Sequence, residues 1–142
     1  MKKAFKLTAL ILVFSIALGL SSCSFTEKPE TDLEFVVYEN NGTDMISFYM
    51  TSIIDNEGVW DYYVDSMYCI KEFHNSEETK EFGFMGMGGT ASYKTIIFEP
   101  VAVGEQEIQF RLNNADARIF KLKVTADKDD IYRIKCEEIK KK

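Results

Sequence analysis

The chain has 142 residues, of which 46% are hydrophobic, 23 are acidic and 17 are basic. This length suits one domain with a substantial buried core. The formal net charge of −6 argues against nucleic acid as a partner, because a surface that binds nucleic acid is basic and neutralises phosphates.

Residues 1–22 have the pattern of an export signal that is removed from the mature protein, and they are excluded from the predicted fold. Their start is positive and contains three lysines: Lys2, Lys3 and Lys6. The apolar run Leu7–Leu20 is too short, and wrongly flanked, for a stable membrane-spanning helix. The run ends in Leu20-Ser21-Ser22-Cys23, which resembles the lipobox of bacterial lipoproteins.

The lipobox resemblance implies that the thiol of Cys23 carries lipid and that the mature chain begins there. The alternative is an ordinary secretory signal in which the cysteine occurs by chance. Lipid on Cys23 would make this a membrane-anchored protein of the cell envelope, on the outside of the cytoplasmic membrane or in the periplasm. Three of the 17 basic residues precede Cys23, so 14 basic and 23 acidic residues would follow, a net charge of −9. That acidity also argues against anionic lipid as a partner beyond the anchor.

Residues 23–32 are predicted to be the lipidated cysteine and a polar tether. The tether contains Pro29, and its eight residues from Ser24 to Thr31 would extend over at most about 25–30 Å. Residues 33–142 are predicted to form one folded domain that the tether lifts off the membrane.

From Leu33 onward the hydrophobic pattern has a period of two, which is typical of strands with one buried face. In Glu107–Leu112 the apolar residues alternate cleanly with polar ones. The predicted strands are Glu34–Tyr38, Met45–Met50, Trp60–Val64, Met67–Phe73, Ser92–Phe98, Glu107–Leu112, Phe120–Val124 and Ile131–Cys136. Turn-forming residues separate them. Short strands at this spacing, with no convincing helix, predict an all-β fold, a β-sandwich of about seven to eight strands.

The segment Phe82–Thr90 is unusual, because four of its nine residues are glycine and four are large and apolar. Glycine lets another backbone come close, and Phe and Met offer adaptable contact area. The segment therefore predicts a loop that is presented to a partner. The alternative is a hairpin turn whose apolar residues fold back into the core. A phosphate-binding loop is disfavoured, since the segment lacks a full G-x-G-x-x-G and precedes a predicted strand.

Three segments of the chain resemble, to different degrees, the three loops of the chagasin-type inhibitors of papain-like cysteine proteases. Gly86-Met87-Gly88-Gly89 matches the G-x-G-G of that family's second loop as it stands. The first loop of the family reads N-P-T-T-G and is soon followed by a tryptophan. Asp55–Trp60 keeps that glycine and a tryptophan, but not the proline or the threonines. Where the third loop has R-P-W, this chain has Asn113-Asn114-Ala115.

The resemblance implies an immunoglobulin-like β-sandwich, monomeric and without catalysis, that inhibits a papain-like cysteine protease by reversible insertion of loops into its cleft. Gly88 and Gly89 are expected to allow close approach of the target backbone. The expected protease-binding residues are Asn56, Glu57, Gly58, Met85, Gly86, Met87, Gly88, Gly89, Thr90, Asn113 and Asn114. The departures in the first and third loops motivate an alternative, a cell-surface binding or structural module that kept the fold and lost inhibition.

The remaining chemistry-bearing residues indicate no enzyme, metal site or cofactor. Five residues apart on a strand, Cys69 and His74 would point to opposite faces, which disfavours a nucleophile and base pair. One histidine and two available cysteines make a weak zinc site. Asp127–Asp130 is predicted to be a solvated turn. Cys69 and Cys136 could form a disulfide in an exported domain, or remain two buried free thiols.

Overall fold

This computed structural model describes residues 25–113 and 117–139, which contain nine strands and one helical turn. In chain order they are β1 (Phe25–Thr26), β2 (Asp32–Asn40), β3 (Thr43–Ile53), α1 (Ile54–Glu57), β4 (Trp60–Tyr63), β5 (Ile70–Phe84), β6 (Gly89–Pro100), β7 (Gly104–Leu112), β8 (Arg118–Ala126) and β9 (Tyr132–Ile139). Within these ranges no helix is long and apolar enough to cross a membrane.

The strands form two antiparallel sheets with the order β1-β5-β6-β3-β2 in one and β4-β7-β8-β9 in the other. Without β1 and β9 this is the arrangement of a constant-type immunoglobulin domain, in which strands A, B, E and D face C, F and G. The predicted immunoglobulin-like β-sandwich is therefore confirmed. The β2–β8 strands take the places of A to G in chain order, and β9 extends the second sheet beyond β8.

The core lies between the sheets and is built mainly from aromatic rings. Phe48 of β3 lies 4.6 Å from Phe110 of β7 and 5.3 Å from Phe120 of β8, measured between ring centroids. These pairs join the two sheets, and such aromatic contacts stabilise beyond the area that they bury. Ile108 and Leu112, the other apolar residues of the alternating segment in β7, are buried as predicted.

One strand differs strongly from its prediction. The predicted strand Met67–Phe73 is instead β5, which starts at Ile70 and continues to Phe84. Its residues 71–81 are all exposed, so both faces meet solvent and the sequence shows no alternation there. A bulge between Glu72 and His74 interrupts its pairing with β6.

Two further elements lie outside the predicted set. The turn α1 has only four residues, too few to show a helical period. The strand β1 lies in the predicted tether, and its residues Phe25 and Thr26 pair with Phe84 and Gly83 of β5. The tether is therefore bound to the domain at that point.

The two cysteines of the domain are not joined, and the aspartate-rich turn is held by hydrogen bonds to its own carboxylate. Cys69 and Cys136 are free thiols, so the disulfide is not formed. Cys69 is buried and donates to Gln106 Oε1 over 3.3 Å. Burial raises the pKa of both thiols, that of Cys136 to about 12. The Asp127 carboxylate accepts backbone N–H groups across the β8–β9 turn, and no metal-binding cluster of three acidic, His or Cys side chains occurs in the described ranges.

Candidate functional site

The glycine-rich segment is the hairpin turn between β5 and β6. The N–H of Met87 donates to the carbonyl of Phe84 over 3.1 Å, and φ is +53° at Met85 and +76° at Gly86. Two positive φ values at the central positions define a type I′ turn, the form that suits the twist of a hairpin. The hairpin interpretation is therefore correct for the backbone.

The packing of the hairpin itself accounts for its glycines. Gly83 has φ +89°, and a Cβ there would lie 2.6 Å from the Gly88 backbone. A Cβ on Gly88 would lie 2.7 Å from the Phe82 carbonyl oxygen, and one on Gly89 would lie 2.8 Å from Asp55 Oδ2. A Cβ at either position would thus clash within the domain, so the hairpin itself requires glycine there, and close approach of a target backbone stays a prediction.

The apolar side chains of the turn do not fold back into the core. Met85 is 74% exposed, Met87 is 80% exposed and Phe84 is 48% exposed, whereas Phe82 is buried beside Ile53. The segment thus combines both sequence interpretations: a tight hairpin turn, and a set of apolar side chains presented to solvent.

The first predicted loop lies beside this turn. Asp55 of α1 accepts the N–H of Thr90 at Oδ2 over 3.0 Å. Glu57 accepts the N–H of Ile53 over 3.0 Å and the hydroxyl of Thr31. The hydrogen bonds from Thr31 and Ile53, in that order, hold the pKa of Glu57 below its ordinary value. Because of these bonds, α1 is held against both β6 and the chain that leads into β2.

The third predicted loop meets the first. Asn113 follows β7 with φ +45°, and a Cβ on Gly58 would lie 2.5 Å from Asn113 Nδ2. Gly58 itself has φ +78°, so the close approach of the two loops requires glycine there. The structure therefore brings residues of all three predicted loops to one end of the sandwich. Asn114 lies outside the described residues, as does Cys23.

Asn56, Trp60 and Asn113 border an open cavity of about 520 Å³ at this end, together with Thr31, Asp32, Glu57, Leu112 and Arg118. Trp60 is buried at the start of β4, which is an edge strand of the second sheet. Its Nε1 donates to the carbonyl of Thr51 over 2.9 Å. The tryptophan thus ties the end of the first loop to the part of β3 that precedes it.

One exposed apolar residue beside the β5–β6 turn was not predicted from the sequence. Phe25 of β1 pairs with Phe84 and is 72% exposed. We name the set Phe25, Phe84, Met85 and Met87 the apolar tip. The available signal was that Phe25 is the one large apolar residue between Ser24 and Thr31.

Comparison with protein-family models, with curated proteins and with solved structures found no match to this chain. The immunoglobulin-like sandwich and the geometry of its three loops are therefore the basis for assigning a function.

Proposed function

We propose that this protein is an exported, lipid-anchored inhibitor of papain-like cysteine proteases, which acts by reversible insertion of the β5–β6 turn into the protease cleft. One observation carries the proposal. Described residues of the three segments that resemble the inhibitor's loops, with Asn113 alone from the third, lie at one end of the sandwich, joined by the Thr90–Asp55 hydrogen bond and by the contact of Gly58 with Asn113.

The conformation of Met85 supports a contact role. Its φ of +53° places a bulky side chain in the left-handed region, where Gly or Asn is preferred. Folding alone would favour one of those residues, and the Met85 side chain is largely exposed rather than packed. Strain of this kind at an exposed side chain is typical of binding sites.

The mechanism is occlusion without chemistry. The type I′ turn holds Met85 and Met87 in place before binding, and the Asp55 bond fixes the hairpin against α1. A preorganised turn loses little conformational entropy when it binds, which raises affinity for a given contact area. Apolar contact by the two methionines would displace water from the cleft and exclude the substrate.

The second candidate function is a binding module of the cell surface that does not inhibit proteases. It is favoured by the third loop, where Asn113-Asn114-Ala115 stands in place of the R-P-W of the inhibitors and lacks its aromatic residue. The first loop also contains the helical turn α1 in place of an extended N-P-T-T-G segment.

A titration separates the two functions. The lipid-free domain, residues 23–142 with Cys23→Ser, is added to several papain-like proteases, and residual activity is measured before and after dilution. Dose-dependent inhibition that dilution reverses supports the inhibitor. If every protease keeps its full activity at a saturating concentration of the domain, the inhibitor function is refuted and the binding module is the function that remains.

A further inference from the structure

The predicted tether is too short to hold the domain away from a membrane. It was expected to span about 25–30 Å, but Phe25 and Thr26 are paired with Phe84 and Gly83 at the end of β5. Phe25 is only two residues after Cys23. Two residues of extended chain reach at most about 7 Å, so lipid on Cys23 would bring the bilayer surface to the apolar tip.

The apolar tip has the chemistry of a membrane-contacting surface. Its four side chains are Phe and Met, and no charged residue occurs in 82–91 or in 23–26. Aromatic and other apolar side chains next to a lipid anchor add to membrane affinity when they enter the boundary between headgroups and acyl chains. Side chains of this kind cost nothing in charge desolvation when they leave water.

Two carboxylates flank the tip and limit its depth. The Glu81 carboxylate lies beside Gly86, and Asp55 accepts the N–H of Thr90. Both would remain in the headgroup layer, since a buried unpaired carboxylate is costly. Together with the acidic net charge, they favour a zwitterionic rather than an anionic surface.

We infer that the apolar tip contacts a zwitterionic lipid bilayer when Cys23 is lipidated, so that the anchored domain lies with its β5–β6 turn against the membrane. This inference rests on the predicted anchor and goes beyond the proposed protease target. The two occupants exclude each other, because Met85 and Met87 cannot contact bilayer and protease together. The anchored protein therefore inhibits a protease less than the lipid-free domain does.

The test places a fluorescent reporter on the tip of the full, lipidated chain. Met87→Trp and, as the matched control, Val103→Trp are purified with their lipid and reconstituted in phosphatidylcholine vesicles whose acyl chains carry bromine. Val103 is also exposed, but it follows Pro100, which pairs with Ile70 at the opposite end of the β5–β6 hairpin. The parent protein, with Trp60 alone, provides the baseline.

The emission added by Met87→Trp is expected to fall about twofold, since side chains at the interface lie about 5–10 Å deep, within reach of the bromines. The emission added by Val103→Trp is expected not to change. A further variant, Phe25→Ser in the Met87→Trp protein, is expected to reduce the quenching, because it removes the aromatic neighbour of Phe84.

Equal quenching at the two positions would overturn the inference, and so would a purified full chain that carries no lipid on Cys23. Circular dichroism in vesicles checks that each variant is folded. The proposed function is tested separately by the lipid-free domain against proteases. If the lipid-free domain inhibits proteases but Met87→Trp is not quenched in the anchored protein, only the membrane contact is refuted. If Met87→Trp is quenched but the lipid-free domain does not inhibit, only the inhibitor function is refuted.

Discussion

The N–H of Thr90 at the start of β6 donates to the carboxylate of Asp55 in α1 over 3.0 Å. This bond joins the turn between β3 and β4 to the hairpin between β5 and β6, two segments that are 35 residues apart in the chain. The pairing of Ile53 with Ala91 already places the first and second loops side by side, and the exposed Asp55 carboxylate adds a side-chain link between them.

Asp55→Ala is expected to loosen this link. Because Asp55 is exposed, the loss in the free energy of unfolding should be only about 1 kcal/mol, while protease inhibition by the lipid-free domain should weaken several-fold. Thermal unfolding and an inhibition titration measure the two effects. Asp129→Ala is the control, since Asp129 is exposed in the β8–β9 turn at the other end of the sandwich. Equal loss of inhibition in both variants would refute a specific role for the bond.

Met85→Asn is expected to make the domain more stable and a poorer inhibitor. Asn tolerates the left-handed conformation that Met85 adopts at φ +53°, so relief of strain should add about 1 kcal/mol to the free energy of unfolding. The lost thioether contact should raise the inhibition constant. Denaturant unfolding and inhibition are measured on the same sample. A variant that is stabilised and inhibits as well as the parent would show that Met85 makes no target contact.

Gly83→Ala is expected to destabilise the domain by about 1–3 kcal/mol, because the φ of +89° is strained for Ala and the new Cβ meets the Gly88 backbone. Gly42→Ala is the matched control: its φ is +86°, but nothing lies within 4 Å of the added Cβ. The difference between the two variants isolates the steric contact inside the hairpin. Equal destabilisation would mean that the close approach of Gly83 and Gly88 adds nothing to stability.

Glu57 is expected to make the loop end sensitive to acid. Its folded pKa lies below the ordinary value of about 4.5, so its stabilising contribution is complete above that value. The contribution disappears as the pH falls through the lower folded pKa. Glu57→Gln should therefore lose stability at neutral pH and show a shallower fall of the melting temperature from about pH 5 to about pH 3. Parallel melting curves for parent and variant across this range would contradict the prediction.

Much of the fold followed from the alternation of apolar and polar residues where one face of a strand is buried. Ile108, Phe110 and Leu112 are buried as predicted, because β7 packs against the core on one side only. The same criterion failed for β5, whose residues 71–81 meet solvent on both faces and so show no alternation. That segment is a strand only because its backbone pairs with β6. Backbone pairing does not require a periodic pattern of side chains in the sequence.

The sequence indicated which residues belong to the candidate site better than it indicated the contacts between them. The resemblance named the three loops that meet at one end of the sandwich. It did not indicate that Gly88 and Gly89 pack against Phe82 and Asp55, since such contacts are set by tertiary approach. Nor could the sequence place Phe25 beside Phe84, because a two-residue strand has no periodicity.

The central claim is that the β5–β6 turn occludes the cleft of a papain-like protease, and protection of the catalytic cysteine tests it most directly. The rate at which iodoacetamide alkylates that cysteine is measured with the lipid-free domain and with its Met87→Asp and Val103→Asp variants. Both substituted side chains are exposed, so all three proteins should unfold at similar temperatures. The parent and Val103→Asp are predicted to slow alkylation, whereas Met87→Asp should bind about tenfold more weakly or worse, because a carboxylate would be desolvated in the contact. Equal protection by the two variants, or no protection by the parent, would contradict the claim.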